Sequence, residues 1–123
     1  MKAALLTALL VFTPASISAA SGNVRGFMNG NELYQECTGS SYILREHCIG
    51  YLEGVTDAEV TMREVIGTPP NCLPLGVDAT QIRDVVVQYL EDHPAIRNDL
   101  ASDLAATAMA VAWPCSAKST MRQ

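Results

Sequence analysis

The apolar residues between Tyr42 and Ile66 repeat with the period of an α-helix. Successive apolar residues are separated alternately by four and three positions. This spacing places their side chains on one face of a helix for about seven turns. This face comprises Leu44, Cys48, Tyr51, Val55, Ala58, Met62 and Val65. The pattern predicts a long helix that packs on shorter ones. We therefore expect an all-α fold, a small bundle of about four helices.

Three further helices are indicated by capping residues. Asn31 is the predicted N-cap of a short helix that ends near Thr38. Asp78, with Gln81 three residues later, has the spacing of a capping box and begins the third helix. The fourth is expected to begin near Asn98 or Asp99. The residues predicted to face the core are Ile82, Val85, Val86, Tyr89 and Leu90 in the third helix, and Leu100, Leu104, Ala108 and Val111 in the fourth.

Four cysteines, Cys37, Cys48, Cys72 and Cys115, are separated by 10, 23 and 42 residues. An even number in a short exported chain is typical of a disulfide framework. Zinc sites instead place cysteines in close pairs, which this chain lacks. Cys37 ends the short helix and Cys48 lies two turns into the long one, whereas the other two lie just outside helix ends. We therefore predict the bonds Cys37–Cys48 and Cys72–Cys115.

The first 20 residues have the layout of a secretory signal peptide. Lys2 precedes an apolar run from Ala3 to Phe12, and Ser18–Ala20 fits a signal-peptidase site. The run is shorter than the roughly 20 residues that span a membrane. We expect export to the periplasm and no membrane association once the leader is removed. The mature chain divides into a loose segment (21–30), a helical domain (31–115) and a polar tail (116–123).

The mature chain is acidic. Removal of Lys2 with the leader leaves seven basic and 13 acidic residues, a formal net charge of −6. Such a charge repels nucleic acid and anionic lipids, and it attracts basic proteins. The partner is therefore predicted to be a protein. The sequence leaves the oligomeric state open, with a homodimer as one alternative.

No set of residues in the chain has the pattern of a catalytic, metal or cofactor site. The two histidines are His47 and His93, and neither belongs to a metal-binding motif. His47 adjoins Cys48, but a cysteine in a disulfide has no thiolate to act as a nucleophile. We predict that the protein is not an enzyme and binds no cofactor.

Four carboxylates share one face of the long helix. Glu53, Asp57 and Glu64 lie within about 20° of Glu46 around the helix axis at 100° per residue, and we call these four residues the acidic stripe. A solvated face and a surface for a cationic partner both fit this pattern. Acid–base catalysis would require burial to separate the pKa values of the carboxyls. The stripe is our candidate for partner binding.

Small residues recur every fourth position in the same helix, at Gly50, Gly54 and Ala58. Each glycine costs about 1 kcal/mol of helix stability relative to alanine. Either a second helix packs closely on this bare backbone, or the helix bends there. Glu59 lies one turn before Arg63, in the favourable order for an ion pair.

Five sequence blocks, in order, resemble the Rap/Tai family of immunity proteins. They are Asn29–Cys37, Cys48–Ala58, Cys72–Val77, the pair Tyr89-Leu90 with His93-Pro94, and Trp113–Cys115. The resemblance covers about Gly30 to Cys115. It implies a small all-helical periplasmic protein that binds a type VI secretion effector, an amidase that cuts cell-wall peptide cross-links, and blocks its cleft.

An acid-stress chaperone is the alternative function. Such proteins are also small, helical and disulfide-bonded. This alternative predicts partial unfolding at low pH, because 13 carboxylates lose their charge below about pH 4. It also predicts many client proteins, where an immunity protein has one stoichiometric partner.

Overall fold

A computed structural model describes residues 26–67 and 71–115, and these form a bundle of four α-helices. The helices are α1 (Gly30–Thr38), α2 (Tyr42–Ile66), α3 (Ala79–Asp92) and α4 (Ala101–Ala112), with a short 3₁₀ turn at Pro94–Ile96. Within those ranges there is no strand, only an isolated bridge between Asn29 and Leu100. The predicted fold class is confirmed. The predicted leader (1–20) and polar tail (116–123) lie outside the described residues.

The N-cap of α1 is Asn29, so the prediction of Asn31 was wrong. The Asn29 side chain accepts hydrogen bonds from the backbone N–H groups of Asn31 (2.9 Å) and Glu32 (3.1 Å). Glu32 in turn accepts from the Asn29 N–H at 2.8 Å. Asn29 therefore has a Glu three residues later that completes a capping box, whereas the residue three after Asn31 is Tyr34.

The end of the predicted loose segment belongs to the fold. Met28 is buried, and its carbonyl accepts a hydrogen bond from the Ala101 N–H at 3.1 Å. The Gly30 N–H donates to the Asp99 carbonyl at 3.0 Å. A Cβ at Gly30 would overlap the Leu104 side chain, so this position requires a glycine for close approach.

The predicted start of α3 is confirmed. Asp78 caps the helix, its carboxylate accepting from the Gln81 N–H at 2.8 Å. Ile82, Val86 and Leu90 are buried. Val85 and Tyr89, also predicted to face inward, are half-buried and pack against the core.

Helix α4 begins at Ala101, later than predicted, because the residues before it form a turn bound to α1. Asn98 accepts a hydrogen bond from the Asn31 side chain at 3.1 Å, and the Asp99 carbonyl accepts from α1 as described. Leu104 and Ala108 are buried as predicted, but Val111 is 66% exposed. The buried face follows positions 101, 104, 105, 108 and 109, and Val111 lies about 90° from its centre.

Both predicted disulfides are present. Cys37–Cys48 joins α1 to α2, with Cα atoms 5.1 Å apart. Cys72–Cys115 joins the segment before α3 to the residues after α4, with Cα atoms 5.0 Å apart. The Cys72 N–H also donates to the Trp113 carbonyl at 2.9 Å. Each bond therefore fixes elements that contribute to one core, whose largest fully buried side chains are Leu33, Leu52, Leu90, Met109, Val86 and Cys48.

Candidate functional site

Much of the predicted core face of α2 is exposed. Only Cys48 and Leu52 are buried in this helix. Tyr51 and Val55 are half-buried, and Met62 is 50% exposed. Other predicted core residues that are exposed are Leu44, Ala58 and Val65.

Helix length explains this difference. At 1.5 Å per residue, the 25 residues of α2 extend over about 37 Å, whereas the 14 residues of α3 cover about 21 Å. Because α2 is longer than the helices packed beside it, they can bury only part of its length. The buried face is centred near Leu52, about 90° round the helix from the middle of the predicted apolar stripe.

The apolar residues of α2 that no other described element covers form a groove along this helix. Its volume is about 780 Å³, and it is bordered by the start of α4 and by the fully exposed Phe27. The groove is lined by Gly26, Phe27, Gly50, Tyr51, Gly54, Val55, Ala58, Glu59, Met62, Ile66, Ser102, Asp103 and Ala106. We refer to these residues as the α2 groove.

Gly50 and Gly54 face open space in the groove. A Cβ at either position would meet nothing within 4 Å. No helix of the described residues crosses here, so the close-packing interpretation of the glycines is wrong for this part of the chain. The two glycines instead leave the backbone of α2 exposed along one side of the α2 groove.

Replacing Gly54 by leucine is expected to raise the free energy of unfolding by about 1 kcal/mol, because leucine is the better helix former and a Cβ at this position meets no described atom within 4 Å. Thermal unfolding followed by circular dichroism measures the change. Gly30→Leu serves as the control and is expected to destabilise, since that site is filled by Leu104. A lower melting temperature for Gly54→Leu would mean that a packed contact exists at Gly54.

The groove is bordered by negative charge. Its charged lining residues are Glu59 and Asp103, and no Lys, Arg or His is among the described residues that line it. All four residues of the acidic stripe are exposed. Around the axis of α2, Gly50 and Gly54 lie about 40° and 80° from Glu46, whereas the apolar residue Met62 lies about 160° away. The two glycines therefore lie between the stripe and Met62. The stripe therefore runs beside the groove, on the glycine side.

Glu59 makes a different contact from the one predicted. Its carboxylate accepts a hydrogen bond from the side chain of the buried Asn71. It forms no ion pair with Arg63 among the described residues, and one oxygen of Glu59 and Nε of Arg63 are buried without a hydrogen-bond partner there. Burial raises the pKa of Glu59, while the Asn71 hydrogen bond and the Arg63 charge oppose the rise.

We expect Glu59→Gln to stabilise the protein at pH 7. Because the folded pKa of Glu59 is raised, its favourable contribution exists below its unfolded pKa and is lost as pH rises through the folded pKa. Glutamine stays neutral and still offers an oxygen to Asn71. Melting temperatures at pH 7 and pH 3.5 should show a gain for the variant at pH 7 that shrinks at pH 3.5. A gain that grows towards low pH would contradict the assignment.

The histidines make structural contacts. His47 Nδ1 lies 2.7 Å from Glu36 Oε2 and so links α2 to α1. The neighbouring Cys48 is bonded to Cys37 and offers no thiol. His93 Nδ1 lies 2.8 Å from the Tyr89 carbonyl, and its ring stacks on Tyr89. In the ranges 26–67 and 71–115, no three His, Cys, Asp or Glu side chains group as metal ligands.

The described residues thus define a small all-helical domain that is stapled by two disulfides and carries an open apolar groove. The family model described as Rap1a immunity proteins matches residues 29–115. The chain belongs to this family. Immunity proteins are typically non-catalytic inhibitors, and membership implies a cognate effector protein as partner.

Comparison with curated proteins and with solved structures gave no significant match. The family match supports the resemblance to Rap/Tai proteins and gives no support to the chaperone alternative. None of the described helices combines the length and apolar character needed to cross a membrane. The disulfides fit an oxidising compartment.

Proposed function

We propose that this protein is a periplasmic immunity protein that binds and inhibits a peptidoglycan amidase delivered by type VI secretion. The observation that carries the proposal is the family match over residues 29–115. That range contains the four described helices and both disulfides, so the match covers the helical bundle. The amidase and its inhibition follow from the resemblance of the five sequence blocks.

The compartment is part of this proposal. An amidase that cuts cell-wall cross-links acts outside the cytoplasmic membrane, so its inhibitor must be exported to meet it. Residues 1–20 have the pattern of a signal peptide, and an oxidising compartment permits the two disulfides. The inhibitor then occupies the amidase cleft as a folded, rigid body, which keeps the entropy lost on binding small.

A rescue experiment tests the function. Each candidate amidase effector gene of the source genome is expressed with a periplasmic signal in a heterologous bacterium, alone or with the full chain. We expect one effector to lyse the cells when alone and to be neutralised by the full chain. A chain that lacks residues 2–20 should not protect, because it stays in the cytoplasm. Lysis by every effector despite periplasmic accumulation of the chain would contradict the proposal.

The oligomeric state of the free protein is determined separately. Sedimentation of the mature chain, from residue 21, distinguishes a monomer from the homodimer that the sequence leaves open. Sedimentation with the neutralising effector then gives the stoichiometry of the complex. An immunity protein is expected to form one stoichiometric complex, whereas several unrelated clients would indicate a chaperone.

A further inference from the structure

The α2 groove is an exposed apolar surface of the size that binds another molecule. Its volume of about 780 Å³ lies within the roughly 300–1,000 Å³ of typical ligand sites. Tyr51, Val55 and Met62 form its apolar wall, and the aromatic ring of Phe27 is fully exposed at its edge. Contiguous exposed apolar surface of this kind marks an interaction site more often than isolated apolar residues do.

The glycines determine what shape of partner fits. Since neither Gly50 nor Gly54 has a neighbour within 4 Å of a Cβ position, the backbone or large side chains of a partner segment can lie directly on α2. Such a segment lies beside Glu53 and Asp57, the residues that directly precede Gly54 and Ala58. Long basic side chains on the segment can reach these carboxylates while apolar side chains enter the groove.

The surrounding charge selects among possible occupants. The described lining has carboxylates and no cation, and the acidic stripe runs along the glycine side. An anionic lipid surface would be repelled by this arrangement. A basic, amphipathic protein segment complements both features, because its apolar side chains can enter the groove and its cationic side chains can pair with the acidic border.

A second copy of the chain fits less well. In a two-fold dimer the same surface meets itself. Two copies docked groove to groove would each bring Glu59 and Asp103, the charged residues that line the groove, to the shared interface. Like charges brought together in this way weaken an interface.

We propose that the α2 groove binds an amphipathic segment of the effector, whose apolar side chains pack on Tyr51, Val55 and Met62 and whose Lys or Arg side chains pair with Glu53, Asp57 and Asp103. The identity of the partner rests on the proposed function. The apolar and basic character of the segment is inferred from the groove alone. The proposed function and the groove proposal can therefore fail separately.

The first test fills the groove without weakening the fold. Gly54→Gln places a long neutral side chain in the groove, and glutamine forms helices better than glycine, so the melting temperature should rise. Binding to the effector identified by rescue is measured by biolayer interferometry. We expect the dissociation constant to rise by at least tenfold. The matched control is Thr80→Gln at an exposed site on α3, which should bind like wild type.

The second test removes the apolar wall or reverses the border charge. Met62→Gln should weaken binding, and Val111→Gln, at a similarly exposed apolar residue of α4, should not. Glu53→Lys with Asp57→Lys should slow association, and the slowing should shrink as salt rises. The charge-matched control is Asp84→Lys with Asp92→Lys on α3, both exposed. Equal slowing by both double variants would assign the effect to net charge and overturn the pairing.

A peptide probe tests the groove even if no effector is rescued. The probe is a labelled 18-residue helical peptide of leucine and lysine, compared with its leucine–glutamate counterpart by fluorescence anisotropy. We expect the leucine–lysine peptide to bind saturably and the leucine–glutamate peptide not to bind. The Gly54→Gln variant should lose binding of the leucine–lysine peptide. Rescue that succeeds equally with Gly54→Gln would overturn the groove and leave the immunity function standing. A wild-type dimer that Gly54→Gln makes monomeric would identify a second copy as the occupant and overturn the proposal.

Discussion

Replacement of Cys72 and Cys115 by serine is expected to lower the free energy of unfolding by about 4 kcal/mol, the value that the chain-entropy model gives for a loop of this length. The bond joins residues 43 apart in sequence, and it crosslinks the segment before α3 to the end of α4. Two contacts lie beside this bond: the hydrogen bond from the Cys72 N–H to the Trp113 carbonyl and the hydrogen bond from the buried Asn71 to Glu59. Urea denaturation of the oxidised wild type and the variant measures the loss.

The shorter disulfide is the natural comparison. Cys37–Cys48 spans 11 residues, for which the same model gives about 3 kcal/mol. Both losses are large beside the 5–15 kcal/mol that stabilise an ordinary domain. A loss below about 1 kcal/mol for the Cys72/Cys115 variant would contradict the prediction. A peptide that contains Cys48 joined to Cys72, found in a digest of the unreduced protein, would contradict the pairing itself.

Leu52→Ala is expected to cost about 2–5 kcal/mol, the range for large-to-small changes in a packed core. Leu52 is 0% exposed and is the last buried residue of α2. It anchors the long helix to the core of the bundle. Chemical denaturation monitored by the fluorescence of Trp113 measures the effect.

Leu75→Ala makes the same chemical change at a fully exposed position, in the turn before α3. A surface change of this kind stays within about 0.5 kcal/mol. Similar losses for the two leucine variants would mean that α2 does not dock through Leu52, and the description of the buried face would fail.

The helices and disulfides could be predicted from the sequence because their signals are local. The period of Tyr42–Ile66 matches the bounds of α2, and Asp78 with Gln81 locates the start of α3. The cysteines beside helix ends indicated their own pairing. For the helices, a few neighbouring residues contain the physical cause, whereas the disulfides also required the predicted order of the helices.

The groove could not be predicted because it depends on how much of α2 the other described elements cover. An apolar stripe identifies a face of a helix, but the lengths of the surrounding helices decide how far along that face is buried. Gly50 and Gly54 fitted either a closely packed second helix or a bend, and no described residue lies within 4 Å of a Cβ position at either one. In α4, the apolar pattern likewise included Val111 in the predicted core face, although this residue is exposed. The cap of α1 was missed for a local reason, since Asn29 and Asn31 are equally good caps and only Glu32 distinguishes them.

The most direct test of the proposed function is a calorimetric titration of the mature chain with the amidase effector that it neutralises, at pH 7 and physiological salt. The chain is purified with both disulfides formed, and amidase activity on peptidoglycan fragments is measured on the same samples. The proposal predicts saturable, stoichiometric binding, with a dissociation constant in the micromolar range or tighter and loss of hydrolysis at the same ratio. A folded chain that shows no heat of binding and leaves hydrolysis unchanged would contradict it.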